Sequence, residues 1–405
     1  MSNKKIVIKD VCNFVGGSQP PKEVFKSECI EGYVRLIQTR DYKSEKFLTF
    51  IPINTVRKFC NKQDIMIGRY GPPIFQIFKG LEGAYNVALI KAVPKKNILN
   101  DYLYYFLKQE AIFKYIDRLS LRTGGQTGVD LYSLNQYPVL LPDLYYQRRV
   151  ADVLKSLDDK IGLNNRINFE LEAMAKMLYE YWFVQFDFPD INGKPYKTSG
   201  GKMVWSYELK REIPECWEVK YLSELTNVSN ESLNPMITPK KEFKHYSIPT
   251  YDETGTYKIE KGYEIKSNKF IVKDTDLLVS KLNPWFSRVI YSTNDDNLIC
   301  STEFVVWRTQ KITTKNFMYM IARDASFVKY CTQSATGTSN SHKRVNPTVM
   351  MKYQVAYKKE IAELFGSILN STIEMYAKNQ IENNILSELR DWLLPMLMNG
   401  QVKVV

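Results

Sequence analysis

Two segments combine small flexible residues with side chains that suit contact with a polyanion. The first is Arg122-Thr123-Gly124-Gly125-Gln126-Thr127. The second is Thr336-Gly337-Thr338-Ser339-Asn340-Ser341-His342-Lys343-Arg344. Backbone N–H groups and cations in such loops bind phosphate oxygens, while Gln, Asn and Arg offer donor and acceptor patterns that match base edges. A second set follows short apolar runs: Arg69 and Tyr70 in one half, and Lys281, Asn283, Trp285 and Arg288 in the other. Further cations are Arg35, Arg40 and Lys79, and Lys240, Lys241 and Lys244 beside His245. A lone cation is generally solvated surface, so the loops, which occur twice, are the stronger candidates. Total charge points the same way. Lys and Arg number 56 against 44 acids, giving +12 and an isoelectric point near 9.1. A surplus of that size favours a polyanionic partner, nucleic acid first.

Residues for covalent or metal chemistry are scarce. There is no Gly-x-x-x-x-Gly-Lys-Ser/Thr phosphate loop and no Gly-x-Gly-x-x-Gly after a strand, so neither a nucleotide motor nor an adenosyl cofactor loop is expected. Asn283-Pro284-Trp285-Phe286 resembles the Asn/Asp-Pro-Pro-aromatic tetrapeptide of amino-methyltransferases, but its counterpart Gly71-Pro72-Pro73-Ile74 lacks both amide and ring. Asp190, Glu218 and Lys220 fit a nuclease pattern only loosely and have no counterpart in the other half. Two histidines and no visible nucleophile–base pair leave general-base chemistry poorly supplied. The six cysteines are scattered without a CxxC pair, so no metal site is expected, and they read as buried free thiols in a reducing cytoplasm. No export signal and no apolar run of membrane-spanning length is present, which leads to a cytoplasmic expectation.

The elements that must position these residues are themselves repeated. Ile8-Lys9-Asp10-Val11 parallels Leu222-Ser223-Glu224-Leu225, and Asp64 to Pro72 parallels Asp276 to Pro284. Tyr102-Leu103-Tyr104 matches Phe317-Met318-Tyr319, Thr123-Gly124 matches Thr336-Gly337, and Arg149-Val150-Ala151 matches Glu360-Ile361-Ala362. The offsets, by subtraction, are 214, 212, 215, 213 and 211 residues. Five blocks in one order at one spacing define a tandem duplication. Each copy opens with about 140 residues of short β-rich runs (Ile65–Ile67, Val87–Ile90, Leu277–Val279, Phe304–Trp307) and a helical patch (Tyr102–Leu119, Asn316–Tyr330). That is an α+β module, and a chain of 405 residues has room for two.

A long helical stripe closes each copy. In the first, Val150, Leu154, Leu157, Ile161, Ile167, Leu171, Met174 and Leu178 recur at three- and four-residue spacing. In the second, Ile361, Phe365, Ile368, Met375, Ile385 or Leu386, Leu389 and Leu393 do so. The spacing predicts two coiled-coil helices, each a rod on the order of 54 Å, that pair with one another. Asn164 and Asn168 in one stripe, and Thr372 and Asn379 in the other, would fix the register. Between the copies, Pro189 to Tyr196 and Ser199-Gly200-Gly201 read as a polar linker.

The order module, helix, linker, module, helix resembles the specificity subunit of type I restriction–modification systems. The most telling run is Trp182-Phe183-Val184-Gln185-Phe186-Asp187-Phe188-Pro189, then Asn192-Gly193-Lys194-Pro195-Tyr196, Ser199-Gly200-Gly201-Lys202-Met203 and Glu212-Ile213-Pro214-Glu215-Cys216-Trp217. Leu141-Pro142 through Gln147-Arg148-Arg149-Val150-Ala151 resembles that family's approach to its first helix, whereas Tyr357-Lys358-Lys359-Glu360-Ile361 lacks the usual Leu-Pro and Gln. The resemblance implies an α+β fold with two target-recognition domains joined by two long antiparallel coiled-coil helices, in a pseudo-two-fold tandem repeat. The corresponding boundaries are 1–143, a helix over 144–185, a linker over 186–216, 217–355, and a helix over 356–399. It further implies a non-catalytic subunit that binds double-stranded DNA. Each domain would read one half of an asymmetric bipartite target, and the helices would set the gap and dock two modification subunits. S-adenosylmethionine, ATP and Mg would belong to the modification and restriction partners. A specificity subunit of a fused nuclease–methylase complex, and a DNA methyltransferase, are the alternatives.

Overall fold

A computed structural model describes residues 6–120, 128–337 and 342–404. The chain divides into two compact units, residues 1–159 with 387–405, and residues 160–386.

The first unit holds two four-stranded sheets. One has the spatial order Cys12–Gly16, Leu89–Pro94, Ile65–Gly68, Ile77–Phe78, all antiparallel. The other runs Phe50–Pro52, Tyr33–Ile37, Gly83–Tyr85, Phe59–Cys60, with its central pair parallel. Strand Ile65–Gly68 is apolar at successive positions because both its faces are covered. Ile65 and Ile67 join a core with Tyr102, Leu103, Ile112 and Leu134, while Met66 faces Ile37, Cys60 and Tyr85 on the other side. The first helical patch is two helices, Asn100–Leu107 and Glu110–Ser120. The long helix Leu144–Tyr179 contributes Val150, Ala151 and Leu154 to the same core, which Leu394, Leu397 and Met398 of the C-terminal helix complete. Gln147 explains its own place in the sequence. Its buried amide accepts from Leu99 N–H at 2.8 Å and donates to Asn97 O and Pro142 O at 3.1 and 2.8 Å, satisfying loop groups beside the helix start.

The second unit repeats this topology. Asn227–Ser229, Phe304–Arg308, Asp276–Ser280 and Val289–Tyr291 form an antiparallel sheet in the corresponding order. A five-stranded sheet again centres on one parallel pair, Glu242–Tyr246 with Leu298–Cys300. The second helical patch breaks into Ile312–Arg323 and Ala325–Gln333, because the Asp324 carboxylate caps the second helix by accepting from Ser326 N–H at 2.8 Å. The turn-rich segment around residues 186–216 contains the hairpin Met203–Ser206 with Arg211–Pro214. Phe186 and Phe188 anchor it, their rings 5.3 and 5.0 Å from Trp217.

The two long helices, Leu144–Tyr179 and Lys359–Met398, pair antiparallel within each unit. In the second unit Asn164 donates to Glu382 at 2.7 Å and Asn168 to Tyr376 O at 3.2 Å, while Asn379 donates back to Asn168 at 2.9 Å. In the first unit Arg390 meets Asp158 at 2.7 Å. Of the expected seam, Val150, Leu154 and Phe365 are fully buried, and Leu157, Ile161, Leu171, Leu178, Ile361 and Leu393 are half-buried. Ile368 and Leu389 are corrections, remaining 48% and 40% exposed. The buried stripe of the second helix in the second unit keeps Phe365 and otherwise passes through Ala362, Leu369, Ile373 and Ala377. A period of 3.6 residues carries the contact face one position past a strict heptad.

Candidate nucleic-acid interface

In the second unit the two sets of candidates come together, and in the first the strand-end candidates meet residues 128 and 129. In the first, strand Ile65–Gly68 ends at Arg69 and Tyr70, and Val129 N–H donates to Arg69 O at 2.9 Å while Tyr70 bridges to Gly128. A Cβ on Gly128 would sit 3.1 Å from the Tyr70 ring, so the glycine lets the two segments lie side by side. The Arg69 guanidinium lies over the Tyr70 ring at 5.2 Å. In the second unit Val345 N–H donates to Lys281 O at 3.0 Å, the same contact at the repeated position. Asn283 N–H donates to Lys343 O at 2.7 Å, and the Asn283 side chain accepts from Lys343 N–H at 3.0 Å. Thr336 and Arg344 close a small hairpin by reciprocal bonds of 3.0 and 2.8 Å. Gly337 is needed there, since a Cβ would stand 2.6 Å from His342 O.

Arg122, Thr123, Gly124 and Gln126 of the first loop, and Thr338, Ser339 and Asn340 of the second, lie outside the described residues. His342 and Arg344 are exposed, while Lys343, Lys281 and Asn283 are half-buried. Trp285 is 38% exposed on the turn Pro284–Phe286. Lys240 and Lys241 are exposed just before strand Glu242–Tyr246.

Several cations are held by acids that no local pattern announces. Arg288 forms a two-pronged pair with Asp252 at 2.6 and 2.7 Å, and Arg344 pairs with Glu303 at 2.9 and 3.1 Å. The bond to Glu303 pushes the Arg344 pKa up, keeping its charge. Lys79 meets Asp101 at 2.6 Å beneath the Tyr104 ring, Arg35 meets Glu45 at 2.9 Å, and Lys244 pairs with Asp295. Arg40 donates to Thr49 at 3.3 Å. His245 is a correction. Its ring is buried in the sheet, with Nδ1 2.6 Å from Glu260, and it does not reach the surface. Burial pushes its pKa down, with Glu260 opposing. Asp252 and Glu303, which sequence reasoning missed, lie 36 and 41 residues from the arginines they hold.

Four cysteines, Cys12, Cys60, Cys300 and Cys331, are buried free thiols; Cys29 and Cys216 are exposed, against expectation. Among the described residues no cluster of His, Cys, Asp and Glu is placed to hold a metal ion, and no helix is long and apolar enough to cross a membrane.

Each unit is thus an α+β module whose buried strand ends in a cationic turn, bonded to residues 128 and 129 in the first unit and to residues 343 and 345 in the second. Residues 2–173 match the type I restriction modification DNA specificity domain. The chain is 26% identical to the type I restriction enzyme MjaIX specificity subunit of Methanocaldococcus jannaschii, over 98% of this chain and 93% of that protein. It is 25% identical to the HindI specificity subunit of Haemophilus influenzae, over 76% and 79% of the two chains. The fold is similar to the crystal structure of the type I S subunit from M. genitalium, with a TM-score of 0.58 at 14% identity, covering 98% of this chain and 97% of that one. Over nearly its whole length the chain is thus similar to specificity subunits of type I restriction–modification systems.

Proposed function

We propose that this chain selects the DNA target of a type I complex without performing chemistry itself. Each module reads one half of a bipartite duplex sequence. The two halves differ because the turns and loops differ between modules. The long helices set the interval between the halves and carry two modification subunits, which supply S-adenosylmethionine and methylate adenine. Restriction subunits using ATP and Mg join that core.

One observation supports this reading above the rest: the repeated backbone pairing of a cationic strand end with the segment after a glycine loop, Arg69 with Val129 and Lys281 with Val345. A turn held by backbone bonds has little entropy left to lose on meeting DNA, so its cations and amides act as fixed probes. The test is enrichment of random duplexes on this chain, followed by the same selection on a chain with four residues inserted into Leu144–Tyr179. Two short sequences at one fixed interval are expected. The insertion should change that interval or abolish enrichment; an unchanged interval would refute the spacer role.

A further inference from the structure

The turn after strand Asp276–Ser280 leaves two aromatic rings partly exposed. Trp285 is 38% exposed and Phe286 59%, with ring centroids 5.9 Å apart. The backbone is bent to present them. Asn283 and Ser287, on either side of the turn, both sit at φ 48°, a left-handed conformation that non-glycine residues adopt at a cost. Buried Pro284 and the Asn283–Lys343 bonds fix the turn's base. Phe286 is clamped by the Arg288 guanidinium at 4.5 Å, which Asp252 holds in turn. The matching turn of the first unit, 212 residues earlier, has Pro73 in place of Trp285 and buries Ile74 and Phe75 to 4% and 3% exposure. Lys281, two residues before Asn283, and Lys343, bonded to it, add positive charge at the turn's base.

A cationic surface carrying a rigid aromatic edge has the parts needed to attract a duplex and press between its bases. We propose that Trp285 stacks as a wedge on a base step of the bound duplex, with Phe286 and Arg288 as its support, and that only the second module does this. The proposal rests on the DNA reading above. A base presents a π-face whatever its identity, so the wedge adds affinity and local unstacking without adding sequence preference.

The test uses the duplex enriched on the wild-type chain, with 2-aminopurine substituted at each position in turn, and the variants Trp285→Ala and Trp285→Phe. Bound wild-type chain should brighten the probe at one step, in one half of the sequence only. Trp285→Ala should lose that signal and bind roughly 5- to 150-fold more weakly while enriching the same sequence. Trp285→Phe should regain much of the affinity. A wild-type complex with no bright position overturns the wedge, whether or not any variant folds. Undiminished affinity in Trp285→Ala overturns it too, as does an altered preference, which would make the indole a reader of base edges. Failure of wild-type chain to enrich any sequence would instead overturn the DNA reading.

Discussion

Whether a lysine of this chain faces DNA depends on what else it touches. Lys79 is enclosed by Asp101 at 2.6 Å and the Tyr104 ring at 4.7 Å, whereas Lys281 lies on the turn that Val345 and Asn283 organise. Lys281→Ala should therefore weaken DNA binding and lower the slope of log affinity against log salt by about one, as loss of one phosphate contact does. Lys79→Ala should leave that slope unchanged, and a gel-shift salt titration separates the two. Lys315 belongs to a different problem. It is fully buried on helix Ile312–Arg323, its ammonium 3.5 Å from the Tyr291 ring centre and bonded to Ser292 O and Oγ at 2.6 and 3.0 Å. Burial pushes its pKa from 10.5 down to about 7, against the opposing pull of Asp274, Asp276 and Glu374. A base that binds its proton more tightly when unfolded is destabilised by protonation. Its contribution should make the fold more stable as pH rises from about 7 towards 10.5. Urea unfolding of wild type against Lys315→Met across that range should show the wild-type gain and its absence in the variant.

At the level of elements, the decisive residue is a glycine in a helix. Gly366 sits inside Lys359–Met398, where propensity disfavours it. A Cβ there would lie 2.0 Å from Thr313 O, while Gly366 O accepts from the buried Asn316 amide at 2.8 Å. The long helix and helix Ile312–Arg323 touch backbone to backbone at this point, so side-chain motion cannot relieve an added methyl. Gly366→Ala should cost about 1–3 kcal/mol or more, read as an earlier denaturant midpoint of the second unit. The sequence announced both long helices through their stripe, but not which edge of the stripe is covered. Ile368 and Phe365 look alike as apolar positions, yet only Phe365 is buried. A helical repeat sets a face about a third of the circumference wide, and the neighbour chooses within it.

For the molecule as a whole, the last residues complete the first unit. Leu394, Leu397 and Met398 lie in the core with Ile65, Tyr102 and Val150, and Tyr146 donates to Val402 O at 3.0 Å. Each such side chain contributes about 1.5–3 kcal/mol of burial, and three together rival the stability of an ordinary domain. A chain ending at Leu386 should lose amide hydrogen-exchange protection in strands Ile65–Gly68 and Leu89–Pro94. Strands Asp276–Ser280 and Phe304–Arg308 of the other unit should keep theirs. Equal loss in both units would refute this division.

The residues alone determined the duplication, the α+β character of each copy, the two long helices and the basic turns, because these are written in local period, spacing and charge. The tertiary structure decided which segments of one unit come from opposite ends of the chain, which arginines are held by distant acids, that His245 is interior, and that one turn of two presents its aromatic rings. Those outcomes depend on contacts between residues tens to hundreds of positions apart, and no short-range pattern carries information about partners at that distance.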